Sequence, residues 1–144
     1  YTTPPAPYLN PALGIDLTGA VDMAVDGNMY VLFANGEVKK FWDGERVEFT
    51  MNGLPSPMRS PSAIFVSGEQ EPDAPGYVYV ADTGNQRIVQ FDKAGNYIRQ
   101  LKAKLDGAEM QGLRGLWVDE ESERLLLISN DALWYATLPG LAPR

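Results

Sequence analysis

The chain of 144 residues contains no cysteine and no histidine. The first absence excludes disulfides, thiolate metal sites and a cysteine nucleophile. The second excludes a Ser-His-Asp triad, imidazole metal ligands and a histidine pH switch. Any catalysis would have to run on carboxylates, lysine, tyrosine or backbone groups. Cations are in the minority, 12 Lys and Arg against 19 Asp and Glu, for a net charge of −7. They are also scattered, and the densest pair, Lys39-Lys40, alternates across a strand. A backbone-reading nucleic-acid binder needs a basic stripe, so nucleic acid is not among the expected partners. No apolar run approaches the length of a membrane span, so direct membrane insertion is not expected. There is no phosphate loop, dinucleotide fingerprint, EF-hand, zinc pattern or Asn-x-Ser/Thr sequon.

What is present is one pattern in three versions. The clearest is in the middle. An apolar run, Pro61 to Val66, is followed by an acidic, proline-rich insertion and a β-rich run, Gly76 to Asp82. The turn Thr83-Gly84-Asn85-Gln86 leads to Arg87-Ile88-Val89-Gln90-Phe91-Asp92, and Lys93-Ala94-Gly95-Asn96 leads to Tyr97-Ile98-Arg99-Gln100-Leu101. Short strands separated by Gly, Asn and Asp turns predict an antiparallel meander. The first version predicts strands over Ala20 to Val25, Met29 to Phe33, Val38 to Trp42 and Arg46 to Thr50. The third predicts strands over Leu113 to Val118, Arg124 to Ser129 and Ala132 to Thr137, and lacks a fourth.

Runs such as Ile64-Phe65-Val66 and Leu116-Trp117-Val118 are apolar on both faces and must be covered on both sides. A single four-stranded sheet cannot cover itself, whereas twisted sheets stacked around an axis can. The expected fold class is therefore all-β, a β-propeller of four-stranded antiparallel blades, about three per chain. The blades span residues 18–51, 60–103 and 111–138. Residues 1–17 read as a linker, from its Thr/Pro-rich start, and as a possible closing strand over Tyr8 to Leu17; residues 139–144 are a tail. Phe41, Phe91 and either Trp134 or Tyr135 recur where a blade needs a large wedge, and Ala63 and Gly115 recur on the innermost strand, where blades crowd together.

The stretch Val80-Ala81-Asp82-Thr83-Gly84-Asn85-Gln86-Arg87-Ile88-Val89-Gln90-Phe91-Asp92, continuing to Leu101, resembles the core of an NHL repeat. Val25-Asp26-Gly27-Asn28-Met29-Tyr30-Val31 is similar to the same repeat, although Phe33-Ala34-Asn35-Gly36 replaces its Ala-Asp-Thr-Gly-Asn segment. The third version keeps only the pattern. The resemblance implies a propeller, usually of six blades, of which three are half. Two chains closing one ring, or further blades of a longer chain, are the expected ways to cover the bare ends. The resemblance does not imply a single function.

Several residues are candidates for chemistry. Arg59 and Arg114 lie at the mouths of innermost strands, where they are placed either to bind a carboxylate or phosphate or to pair with nearby acids. Asp22 stands where the innermost strand of the first blade has a small residue in the others. With Asn35, Asn130 and Asp131 it is a candidate set for a calcium ion in a central channel; the alternative is a solvated carboxylate. Asp82, Asn85 and Arg87 can contact a ligand on the rim, but turn chemistry by itself calls for these residue types. The connection over residues 51–58 lies on one rim, where recognition loops cluster, and the acidic loop over residues 69–75 on the other. The expected function is a non-enzymatic binding or sensor module for a protein or small molecule, in the extracytoplasmic part of a membrane-anchored bacterial protein. The alternative is a metal-dependent lyase or hydrolase using carboxylates in the axial tunnel.

Overall fold

The computed structural model describes residues 2–69, 76–103 and 107–140, so most of the acidic loop and the end of the tail lie outside the described residues. Turn residues set the architecture. Asp43 and Gly44 both take left-handed φ, 48° and 78°, the conformation of a two-residue hairpin whose twist matches its strands. Asp26 Oδ1 accepts the Asn28 N–H at 2.9 Å, and Asp92 Oδ1 accepts the Ala94 and Asn96 N–H groups, each at 2.9 Å. Each carboxylate thus turns its own chain.

Three antiparallel meanders result. Sheet 1 is β1 (Ala20–Val25), β2 (Met29–Phe33), β3 (Val38–Trp42) and β4 (Glu45–Val47). Sheet 2 is β5 (Ala63–Val66), β6 (Tyr77–Asp82), β7 (Arg87–Asp92) and β8 (Tyr97–Leu101). Sheet 3 is β9 (Leu113–Asp119), β10 (Arg124–Ser129) and β11 (Ala132–Thr137), with no fourth strand among the described residues. Strands alternate side chains between faces, so each sheet has two. We call the face toward the preceding sheet leading and the other trailing.

Tyr30, Leu32 and Val38 on the trailing face of sheet 1 pack on Ile64, Val66, Val78, Val80, Val89 and Phe91 of sheet 2. Ala63, Tyr79, Ala81 and Ile88 on the trailing face of sheet 2 pack on Leu113, Val118, Leu125 and Leu127 of sheet 3. The first strands β1, β5 and β9 lie next to one another in that order. Sheets stacked face to face along a line of first strands form a propeller-like arrangement. No sheet closes on itself.

Two expectations change. Residues 8–17 form no strand in this chain. Pro11–Leu13 is a 3-10 turn, capped by the Asn10 side chain and ended by left-handed Gly14. Leu9 and Ile15 pack on Val31, Phe33 and Phe41, on the leading face of sheet 1. Proline removes an N–H, and a left-handed glycine breaks extension, so apolar spacing alone does not make a strand here. The fourth strand of sheet 1 is also shorter than expected and starts one residue earlier. After Val47 the chain leaves the sheet. The Phe49 ring meets that of Tyr30 edge-on at 5.7 Å, and Asn52 bridges to Asn96 of sheet 2. Phe41 and Phe91 are fully buried wedges; in sheet 3 Trp134 faces the core, while Tyr135 points outward.

Candidate functional site

Antiparallel pairing places the start of each first strand beside the end of each second strand. Ala20 pairs with Phe33, Ala63 with Ala81, and Leu113 with Ser129. The turns after β2, β6 and β10 and the connections into β1, β5 and β9 therefore share one rim. Asn35, Arg59, Asn85, Arg114, Asn130 and Asp131 all lie on that rim.

The centre of the rim is a buried ion pair. Asp82 is fully buried and Arg87 is 2% exposed. Asp82 Oδ2 accepts from Arg87 Nε at 2.6 Å and Asn85 Nδ2 at 2.8 Å, while Oδ1 accepts the Arg59 backbone N–H at 2.7 Å. The guanidinium also donates to Ser56 Oγ, Gln100 Oε1 and the Ser56 carbonyl at 3.0, 3.0 and 2.7 Å. Asn85 donates again to the Pro57 carbonyl at 3.0 Å. A buried charged pair is tolerable when its hydrogen-bonding capacity is met in this way. These three side chains hold the connection over residues 51–59 against the β6–β7 turn, and they are not free to take a ligand. Gly84 completes the contact: its N–H reaches the Arg59 carbonyl at 2.7 Å, and a Cβ there would come within 2.4 Å of that oxygen.

A second tie joins sheet 2 to sheet 3. Ser62 Oγ and Thr83 Oγ1 lie 2.6 Å apart, and both donate to the Leu113 carbonyl, at 2.5 and 3.0 Å. Arg59 and Arg114 flank this tie, each on backbone that is held in place. Both side chains are exposed, with no hydrogen-bond or ion-pair partner among the described residues. Asn35 Oδ1 accepts the Glu37 N–H at 2.9 Å, closing its own turn. The Asn130 N–H bonds the Gly112 carbonyl at 3.1 Å, and Asp131 is exposed beside it. Asp22 is half-buried on β1 and spends Oδ2 on the Ile64 N–H at 2.8 Å, linking the first strands of sheets 1 and 2. Among the described residues, no three Asp or Glu side chains converge as a metal site would require.

The other rim holds two polar clusters that sequence reasoning missed. Lys93 pairs with Asp26, whose Oδ2 also accepts from the Tyr30 hydroxyl at 3.3 Å. Burial, then the Asp26 charge, pushes the Tyr30 phenol up, and burial lowers the nearby Lys40 ammonium. Glu120 Oε1 accepts from Tyr79 at 2.8 Å and Ser67 at 2.5 Å; burial, then Glu120, pushes the Tyr79 phenol up. Both tyrosines are thereby held as neutral donors. Gln90 Oε1 accepts from Arg99 Nε at 2.7 Å, which turns Gln90 Nε2 toward a cavity of about 100 Å³ with no partner among the described residues. No composition signal marks these pairs, because each joins residues far apart in sequence.

No family model matches the sequence, so the NHL resemblance rests on its own residues, and no curated protein matches it either. Among solved structures, the chain is similar to one described as the streptogramin B lyase structure, at 15% identity and a TM-score of 0.49. The match covers 85% of this chain and 41% of that one, so the chain spans less than half of that structure's length.

Proposed function

We propose that the chain is a non-enzymatic binding module of the NHL propeller type, which takes an anionic group, a carboxylate first, on the rim between Arg59 and Arg114. The observation that carries this reading is the contrast among the rim's charges. Asp82 and Arg87 are buried and fully bonded, whereas the Arg59 and Arg114 guanidiniums stand exposed without partners on backbone fixed by Asp82, Gly84, Ser62 and Thr83. In a chain of net charge −7, with acids in excess, an arginine left without a carboxylate is available to an outside one. The tyrosines that might serve as bases or nucleophiles are instead held protonated, which favours binding over catalysis.

The test is titration of the chain with a glutamate-rich peptide, and separately with inorganic phosphate, followed by NMR of the arginine Nε–H signals. Arg59 and Arg114 signals are expected to move. The substitutions Arg59→Ala and Arg114→Ala should each weaken binding by about tenfold, the scale of one charge-assisted hydrogen bond, and added salt should weaken it further. Equal affinity in the double variant, or shifts confined to other residues, would remove the rim from consideration.

A further inference from the structure

We propose that two copies of this chain close on each other, the trailing face of sheet 3 in each seated on the leading face of sheet 1 in the other, to complete a six-bladed ring. This inference stands apart from the rim reading and rests on the two ends of the stack. Leading-to-trailing contact is made twice within the chain, between sheets 1 and 2 and between sheets 2 and 3. One face of each kind is left over.

The leftover faces are apolar. On sheet 3, Trp117 pairs with Leu126, Leu126 with Tyr135, and Ile128 with Leu133. Leu133 is 72% and Tyr135 66% exposed, and Trp117 and Ile128 are also exposed. On sheet 1, Met23 pairs with Val31, Val25 with Met29, and Met29 with Phe41. Met23 and Val25 are each 56% exposed. Beside them runs a groove of about 720 Å³ whose walls include Met23, Met29, Val31 and Phe41. Leu9 and Ile15 shield part of this face, and the Asn10 N–H bonds the Gly44 carbonyl at its outer edge, while Met23 and Val25 on β1 stay open. Clusters of this kind on a soluble chain mark contact surfaces.

The area fits a second copy. The chain exposes 8747 Å², whereas a compact monomer of 15.8 kDa exposes about 7,300 Å². Residues 2–7 are exposed and account for a share of the roughly 1,400 Å² excess; the two end faces supply the rest. A pair hiding that excess in both copies would bury about 2,800 Å², within the range of obligate homodimers. Each end face differs from the other, so a two-fold axis makes both contacts at once and leaves neither face bare. The same arrangement brings the unpaired edge of β11 toward residues 8–17 of the second copy.

Light scattering on the full chain over a wide concentration range tests this. The expected mass is twice 15.8 kDa and stable on dilution. The double substitution Leu133→Glu with Tyr135→Glu, and separately Met23→Lys, should each halve the mass. These side chains are largely solvent-exposed in one copy, so the circular dichroism spectrum should not change. Mixing the two variants should restore a dimer, since one native contact and one Glu-to-Lys contact remain. A wild-type monomer at every concentration would overturn the proposal. So would a dimer indifferent to both substitutions, or a mass that keeps growing with concentration, which would signify an open chain.

Discussion

The turn between second and third strands occurs three times in the molecule, with three different chemistries. In sheet 2 it is the Asp82–Arg87 ion pair. In sheet 3 Ser129 occupies the position of Asp82, and Trp134 Nε1 donates to Ser129 Oγ at 2.6 Å. In sheet 1 the backbone does the work, with the Phe33 N–H on the Glu37 carbonyl at 2.9 Å. Only sheet 2 has a sheet on each side. Neighbours on both faces remove water from its turn, and a desolvated carboxylate then requires a cation and several donors. The end sheets leave their turns wetter, and neutral or backbone bonds suffice there. The strongest local resemblance to a repeat family falls on sheet 2, where burial constrains residue identity most.

That contrast can be broken most severely at Arg87. Arg87→Ala leaves the Asp82 charge buried without its cation, and the expected cost is about 3–5 kcal/mol in urea unfolding. Arg87→Lys should recover little, because an ammonium cannot reach Asp82, Ser56 and Gln100 together. Full stability in Arg87→Ala would mean that the pair is not desolvated as described. Next is Gly84→Ala, expected to cost about 1–3 kcal/mol, because its Cβ would run into the Arg59 backbone rather than a movable side chain. A smaller effect is expected at the corresponding site of sheet 3. Trp134→Phe keeps most of the ring's packing but removes the donor to Ser129, for a loss of about 1 kcal/mol. A Trp134→Phe loss equal to that of Arg87→Ala would erase the distinction between the two turns.

The same difference in burial explains what could be read from the residues beforehand. Alternation and turn chemistry placed the strands, since Asp43-Gly44 and Lys93 to Asn96 admit few backbone paths. The split of Lys39 and Lys40 was legible too: Lys39 lies over Phe33 on one face and Lys40 over Tyr30 on the other. The wedge in sheet 3 was not, because Trp134 and Tyr135 are adjacent aromatics and one step of register decides which is inside. The segment over residues 8–17 carries strand-like apolar spacing, yet Pro11 and Gly14 turn it into a cover for sheet 1. On the rim, the residue types of Asp82, Asn85 and Arg87 were visible, but their partners Ser56, Pro57 and Gln100 were not. Asp22 looked like a ligand because sequence does not display the Ile64 N–H that it satisfies. Contacts that close over dozens of residues leave no local signal, and the rim is made of them.

The smallest expected effect compares two acidic turns. Asp92 in sheet 2 and Asp119 in sheet 3 both sit below the usual carboxylate range. At Asp92 burial acts to raise the value, but bonds from Asn96, Ala94 and Gly95 together outweigh it; at Asp119 the Ser122 N–H lowers it with no burial to oppose. A carboxylate whose folded value is depressed adds stability that is fully present above its unfolded value, near 4. That stability is lost as pH falls through the folded value. Melting temperature should therefore fall on acidification. In Asp92→Asn, melting at neutral pH should drop slightly and the acid limb should flatten. Asp119→Asn should do the same to a lesser degree, since a fully exposed turn is screened by solvent. If Asp119→Asn instead flattened the acid limb more than Asp92→Asn, the turns of the end sheet would be carrying the acid sensitivity, and enclosure of sheet 2 would not be what sets the strength of its turns.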